Sequence, residues 1–350
     1  FRRHKTKFFY TTPPAVLATT FFSHYIRPNT WEGAYSMRIA IIGHGALGTL
    51  YGHAFSRTGE HQVIFVTNKT RAARLRSTPL RANRASFKYR IETAEDTAGP
   101  ADIVIFAVKY HHLEQAVSDV KGHAGPKTIF VSVMNGIDSE DYIASHYGRD
   151  HVLYTVALGM DAVREGHNTD YSTPGKLLLG RTDTPSANSP KPRSVEQDPD
   201  IRTFTGLCDA AGIQYEIQKD ILRSLWSKFM LNIGINQVSA VLQAPYKPFQ
   251  QPSHAQELMI SAMQETITVA RNLDIHLYPE DIEQLIKVLQ TLSPDGKTSM
   301  CQDVEAGRKT EVEMFAGKLI ELAEQLEVEV PVNRTLLALI KAKEESVGLF

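Results

Sequence analysis

The sequence predicts an α/β domain built on a mostly parallel sheet, followed by an all-α domain. Three observations carry this. From Met37 onward, short β-branched runs alternate with amphipathic stretches. A glycine-rich turn follows the first of those runs. After Gln218 no further strand pattern occurs, and every apolar pattern has helical spacing.

Met37–Ile42 reads as the first strand. Ala46–Thr58 reads as a helix with Leu47, Leu50, Ala54 and Phe55 on one face, closed by Gly59. Val63–Thr67, Asp102–Val108 and Thr128–Met134 are further strands, with a helical stretch around His112–Val120. His151–Leu158 and Lys176–Leu179 complete the set. Such unbroken apolar runs, separated by helices, need cover on both faces of a sheet. Residues 182–200, rich in Pro, Ser and Asp, read as a solvated loop. Beyond them Ile221–Leu242, Ala255–Asn272, Pro279–Leu292, Ser299–Gln325 and Asn333–Glu345 read as helices. The expected division is an extension over residues 1–36 that is disordered and outside the fold, a dinucleotide-binding domain over 37–217, and a helical substrate domain over 218–350.

Composition excludes several classes. At 350 residues the chain is long enough for two cores. Its 38 basic residues nearly balance its 39 acidic ones, so no global footprint for nucleic acid or a membrane surface is present. With only Cys208 and Cys301 there is neither a disulfide framework nor a cysteine zinc site. No apolar run reaches the ~18 residues of a membrane span. Residues 1–36 are basic (Arg2, Arg3, Lys5, Lys7 and Arg27 against Glu32), and Pro13-Pro14 divides their apolar patch. That composition suits a transit segment better than a secretory signal, while Met37 is a natural start for the fold. The expected location is cytoplasmic, or mitochondrial if residues 1–36 act as a transit segment.

Gly43-His44-Gly45-Ala46-Leu47-Gly48 fits G-x-G-x-x-G between a strand and a helix. The first glycine permits the turn, the second lets backbone approach a pyrophosphate, and the third lets helix pack on strand. An NAD site would carry Asp or Glu at the end of the next strand. Here stand Thr67-Asn68-Lys69-Thr70-Arg71, and no acidic residue occurs between Glu60 and Glu92. Amide and cations suit a 2′-phosphate, which favours NADP(H).

In the first predicted C-terminal helix, Lys228, Asn232 and Asn236 are spaced i, i+4, i+8 and share one face amid apolar neighbours. An ammonium and two carboxamides there suit a general acid with hydrogen-bond donors for a small polar substrate. A solvated polar stripe is the competing reading. Further on, Ser299 and Gln302 fit a capping box, so Ser299 is expected to start a helix whose free N–H groups suit a carboxylate.

With these segments assembled the chain resembles the ketopantoate reductases, from residue 37 to about 345. The carriers are Gly43–Gly48, Val108-Lys109, Asn135-Gly136, Thr173–Gly180, Trp226–Asn236 and Ser299–Glu311. The resemblance implies a Rossmann-type N-terminal domain, a helical C-terminal domain, and NADPH-dependent reduction of ketopantoate to pantoate on the route to pantothenate and coenzyme A. It implies that Lys228 protonates the forming alkoxide and that Glu311 bonds the substrate hydroxyl and assists catalysis. Ser299 would hold the carboxylate, Asn232 and Asn236 would orient the substrate, and Asn135 would stand between nicotinamide ribose and substrate. Lys109 would lie on the nicotinamide side. Asn68, with Lys69, falls where the family often has an Arg for the 2′-phosphate. His112 and Met134 each replace a Gln common in the family. The partners implied are a small 2-oxo acid and a second copy of the chain as a homodimer, with no nucleic acid, membrane or metal. A related 2-oxo or 3-hydroxy acid dehydrogenase on the same scaffold, or an NADP(H)-binding regulator without chemistry, remain the alternatives.

Overall fold

The structure is a computed structural model that describes residues 37–182 and 198–349. The expectation for residues 1–36, and most of the loop expected over 182–200, lie outside the described residues. In chain order the elements are β1 (Arg38–Ile42), α1 (Ala46–Ser56), β2 (Gln62–Val66), α2 (Lys69–Ser77), β3 (Arg81–Ala82), β4 (Ala85–Ser86), β5 (Arg90–Glu92), β6 (Ile103–Phe106), α3 (Leu113–Asp119), β7 (Ile129–Ser132), α4 (Ser139–Tyr147) and β8 (Val152–Leu158). There follow β9 (Val163–Glu165), β10 (Asn168–Asp170), β11 (Lys176–Gly180), α5 (Pro199–Ala211) and β12 (Gln214–Ile217). The rest is helical: α6 (Ile221–Leu231), α7 (Gln237–Leu242), α8 (His254–Asn272), α9 (Pro279–Gln290), α10 (Ser299–Glu305), α11 (Lys318–Gln325) and α12 (Pro331–Ser346). The α/β-then-all-α class read from the sequence is the class the chain adopts.

The main sheet has the order β12-β11-β8-β7-β6-β1-β2-β5. Strands β5, β2, β1, β6, β7 and β8 run parallel, whereas β11 pairs antiparallel with β8. Alternate residues of β1 feed two cores. Ile39 and Ile41 pack with Leu50 and Phe55 of α1, while Ala40 and Ile42 pack with Leu113 and Val117 of α3. Each fully buried Ile or Phe contributes roughly 1.5–3 kcal/mol. A third core, around Phe229, Met230, Phe249, Met259 and Phe315, belongs to the helical part.

Besides unmarked elements, helices α2, α4 and α5 among them, two features depart from the sequence reading. A small sheet of order β4-β3-β10-β9 stands beside the main one. The helix expected over Ser299–Gln325 breaks after α10, where Gly307 takes a φ of +60°, and resumes with a π turn over Glu313–Gly317 that leads into α11. Left-handed backbone is open to glycine at little cost and ends a helix. The break presents Glu311 on a connecting segment rather than on a helix face. Among the described residues no helix is long and apolar enough to cross a membrane.

Candidate active site

In the sheet order, β1 has β2 on one side and β6 on the other. The chain therefore reverses direction across the sheet at β1, and the crevice at the strands' carboxyl ends is where open α/β sheets take ligands. The glycine turn fills that place. Gly43 has a φ of +100°, and a Cβ there would lie 2.4 Å from the carbonyl oxygen of Ala107. A Cβ on Gly48 would lie 1.9 Å from the Gly43 oxygen, so α1 docks directly on the turn. Gly45 is different: its φ is −72° and an added Cβ would meet nothing within 4 Å. Helix α1 starts at Ala46-Leu47 with no side-chain cap on its N-terminus. Open backbone N–H groups beside a glycine with free space in front suit a pyrophosphate. A dinucleotide fits the residues present.

Asn68 caps α2, its Oδ1 accepting from the Arg71 N–H at 2.8 Å. Lys69 is exposed in the first turn of the same helix. Several cations act on His44. Burial first, then Arg164, Arg71, Arg74 and His167, push its imidazole down to about 4. Arg164 lies in β9 and His167 in the turn that joins it to β10, a hairpin whose second strand pairs with β3. The Nδ1 of His167 is buried without a hydrogen-bond partner. Sequence reasoning missed both residues, because nothing local ties a three-residue strand near position 165 to a turn near position 45.

A second group of residues comes from three segments. Lys109 and Tyr110 follow β6, Asn135 follows β7, and Lys228 projects from α6. Lys109 Nζ donates to Asp303 Oδ2 at 3.0 Å and to the Lys309 carbonyl at 3.4 Å. The Tyr110 N–H donates to Glu311 Oε1 at 3.4 Å, and Asn135 is a second hydrogen-bond partner of that carboxylate. Burial raises Glu311 above the usual carboxylate range, against the pull of Lys109 and these two bonds. Lys228 Nζ donates to the Ala157 carbonyl at 2.8 Å. Burial lowers Lys228 to about 8, opposed by the charges of Glu140 and Glu311. The structure thus brings Lys109, Asn135, Lys228 and Glu311 into one electrostatic neighbourhood.

Two expectations are corrected in detail. Residues Asn232–Asn236 form a π turn between α6 and α7, so the regular i, i+4, i+8 row does not persist. Lys228 and Asn232 stay partly exposed, but Asn236 is buried at 6%. Ser299 is not the cap of α10. Thr298 is, its Oγ1 accepting from the Cys301 N–H at 3.1 Å. Thr298 is fixed in that role by a buried bond of 2.6 Å to Ser239 Oγ, and Ser299 is left exposed in the first helical turn. His111 and His112, the other sequence candidates for a proton donor, are exposed and pack edge to face on each other.

Residues 39–184 match the family "ketopantoate reductase PanE/ApbA", and residues 220–344 match its C-terminal counterpart. The chain belongs to the ketopantoate reductase family. A 2-dehydropantoate 2-reductase of Aquifex aeolicus is 25% identical over 88% of this chain and 97% of its own length. A PanE/ApbA family ketopantoate reductase from Ralstonia eutropha superposes with a TM-score of 0.75 at 24% identity, over 89% of this chain and 99% of the other. A D-mandelate dehydrogenase with NADH and anilino(oxo)acetate has the same fold, with a TM-score of 0.76 at 21% identity over 89% of this chain and 99% of its own. Membership makes this ketopantoate reductase family member an oxidoreductase.

Proposed function

We propose that the protein reduces ketopantoate to pantoate with NADPH, supplying pantothenate and coenzyme A synthesis. The observation that carries this reading is the convergence of Lys228 and Glu311 beside Asn135 and Lys109, the latter standing two residues beyond the Ala107 on which Gly43 packs. The nicotinamide cofactor supplies the hydride when bound. The chain's residues do the rest. Lys228, partly buried and held on the Ala157 carbonyl, is an acid poised near neutral pH and delivers a proton to the substrate oxygen. Glu311 accepts from the substrate hydroxyl, and Asn232 and Asn236 orient the substrate. Ser299, with the first turn of α10, meets its carboxylate. Asn135 and Lys109 hold the nicotinamide side.

Preference for NADPH over NADH is supported by the Arg71, Arg74 and Arg164 guanidiniums gathered near His44. Arginine suits a phosphate through its planar fork of donors. Asn68 and Lys69 adjoin this group at the start of α2.

The test is absorbance-monitored NADPH oxidation across a panel of 2-oxo acids, with NADH as control. Ketopantoate should turn over far faster than pyruvate or an aromatic 2-oxo acid. The aromatic acid belongs in the panel because the mandelate dehydrogenase shares this fold. Lys228→Ala should lower kcat by ~10²–10⁴-fold with NADPH binding intact. Equal rates on all the acids would overturn the substrate assignment, and a wild-type kcat in the variant would overturn the role of Lys228.

A further inference from the structure

Behind Lys228 lies a carboxylate that the reaction above does not use. Glu140, in the first turn of α4, is only 2% exposed. Its Oε2 accepts from Ser139 Oγ at 2.7 Å and its Oε1 from the Thr155 N–H at 3.4 Å. Ser139 Oγ is itself tied to Ser132 Oγ at 2.8 Å. The carboxylate is therefore held by a short buried chain of hydroxyls that starts at the end of β7.

The reason for this arrangement is visible in the sheet. β7 pairs with β8 as far as Leu153. Beyond that point the edge of β8 presents backbone groups that no strand satisfies, and buried backbone groups need partners. Glu140 meets the N–H of Thr155, and Lys228 meets the carbonyl of Ala157. Those two residues are one strand repeat apart, about 7 Å. A carboxylate and an ammonium thus occupy consecutive places along one strand edge, the carboxylate buried and the ammonium partly buried.

We infer that Glu140 is a positioning residue for catalysis, the anchored counter-charge that keeps the partly buried Lys228 ammonium protonated. The inference rests on the reading of Lys228 as proton donor. The charged and titratable groups around the pair are few. Lys228 faces Glu140 from α4 and Glu311 from the segment after α10, and both charges favour the ammonium against burial. Glu140 faces Asp141 on its own helix and Tyr154 on β8. Burial pushes Glu140 up to about 7, so its charge is present above neutrality, where Lys228 would otherwise lose its proton. Glu311 is held from the crevice side by Tyr110 and Asn135, whereas Glu140 is fixed against the sheet.

The experiment is the pH profile of kcat/KM for Glu140→Gln, whose amide oxygen can still accept from the Thr155 N–H while its NH2 donates to the Ser139 hydroxyl. The alkaline limb should move to lower pH by about one unit, the lower end for loss of a neighbouring opposite charge. The variant should then be about tenfold slower than wild type near pH 9 and within about twofold near pH 6, since one unit is a tenfold change in the acid's equilibrium. NADPH affinity, read by cofactor fluorescence, should not change. Ser139→Ala keeps the charge but loosens it, and should move the limb the same way by less. This second variant keeps the test open if the first folds poorly. A uniform rate loss at every pH, with the limb unmoved in both variants, would overturn the inference and leave Glu140 a structural residue. Lys228→Ala separates the two claims. Wild-type turnover in that variant overturns the proton-donor reading and this inference with it, whereas an inactive Lys228→Ala beside an unmoved limb overturns only the role of Glu140.

Discussion

Lys109 and Asp303, nearly two hundred residues apart, are joined by an ion pair of 3.0 Å that ties the segment after β6 to helix α10. Asp303 also accepts from Arg308 Nε at 2.8 Å, so one carboxylate serves two cations. Lys109 is 42% exposed on its side chain, and half-exposed pairs contribute little to stability. Lys109→Met should therefore cost under about 1 kcal/mol in a urea titration. If the lysine serves the nicotinamide side, the same variant should raise the KM for NADPH. A stability loss above about 3 kcal/mol with an unchanged KM would instead make the pair a purely structural strut.

A second buried polar group holds the last helix in place. Glu265 on α8 accepts from the Val332 and Asn333 N–H groups at 2.8 and 3.0 Å, and from Asn333 Nδ2 at 2.8 Å. It thus does for α12 what an N-cap side chain would, from another helix, and α12 has no side-chain cap of its own. Asn333 is fully buried and its Oδ1 also accepts from Gln237 Nε2 at 3.0 Å, which links the network to α7. Glu265→Ala should destabilise the protein by roughly 2–4 kcal/mol, since it strands three donors at once. Chemical denaturation measures this, and a loss under about 0.5 kcal/mol would show that water replaces the carboxylate.

What the sequence revealed and what it concealed divide along physical lines. The strands Arg38–Ile42, Ile103–Phe106 and Ile129–Ser132 are buried on both faces, so their apolar runs are unbroken and legible. Helix α2 buries only Ala72 and Leu75, too sparse a stripe to show a period. Helix α5 carried clear signals, Asp198 as cap, Pro199 in the first turn and Gly212 at the end, but the polar stretch before it masked them. The β3, β4, β9 and β10 strands are two or three residues long, shorter than any periodicity can register. At the site, Lys228 and Glu311 stood out because their neighbours in sequence are distinctive. The choice of Thr298 over Ser299 as cap is set by Ser239 from another helix. The π turn at Asn232–Asn236 likewise leaves no mark in a pattern read at a fixed angle per residue.

The field around His44 has a consequence in acid. Its imidazole titrates near 6.5 when unfolded and near 4 in the folded chain. Between those values the unfolded chain binds a proton that the folded chain does not, so this group lowers stability as pH falls from 6.5 toward 4. A bound 2′-phosphate would favour the imidazolium and raise that value. NADPH binding near pH 5.5 should therefore take up about a fraction of a proton that NADH binding does not. Calorimetry in two buffers of different ionisation heat measures the difference, which His44→Asn should abolish. Identical uptake with both cofactors would remove the 2′-phosphate from this cluster.

The glycine turn separates conformation from contact within six residues. Gly48 faces the Gly43 carbonyl at 1.9 Å from where a Cβ would stand, with the Ala107 methyl 3.4 Å away. Gly48→Ala must force α1 away from β1, and overpacking of that kind costs about 1–3 kcal/mol or more. Gly45 has an ordinary φ of −72° and open space in front, so an alanine there should leave stability within about 0.5 kcal/mol of wild type. The open space is what the pyrophosphate needs. Gly45→Ala should therefore weaken NADPH binding by about tenfold or more, the reverse of its silence in stability. Thermal melting beside cofactor fluorescence reads both quantities on one sample. Undiminished affinity in Gly45→Ala would mean that the pyrophosphate does not lie against the turn, whatever else the cofactor touches.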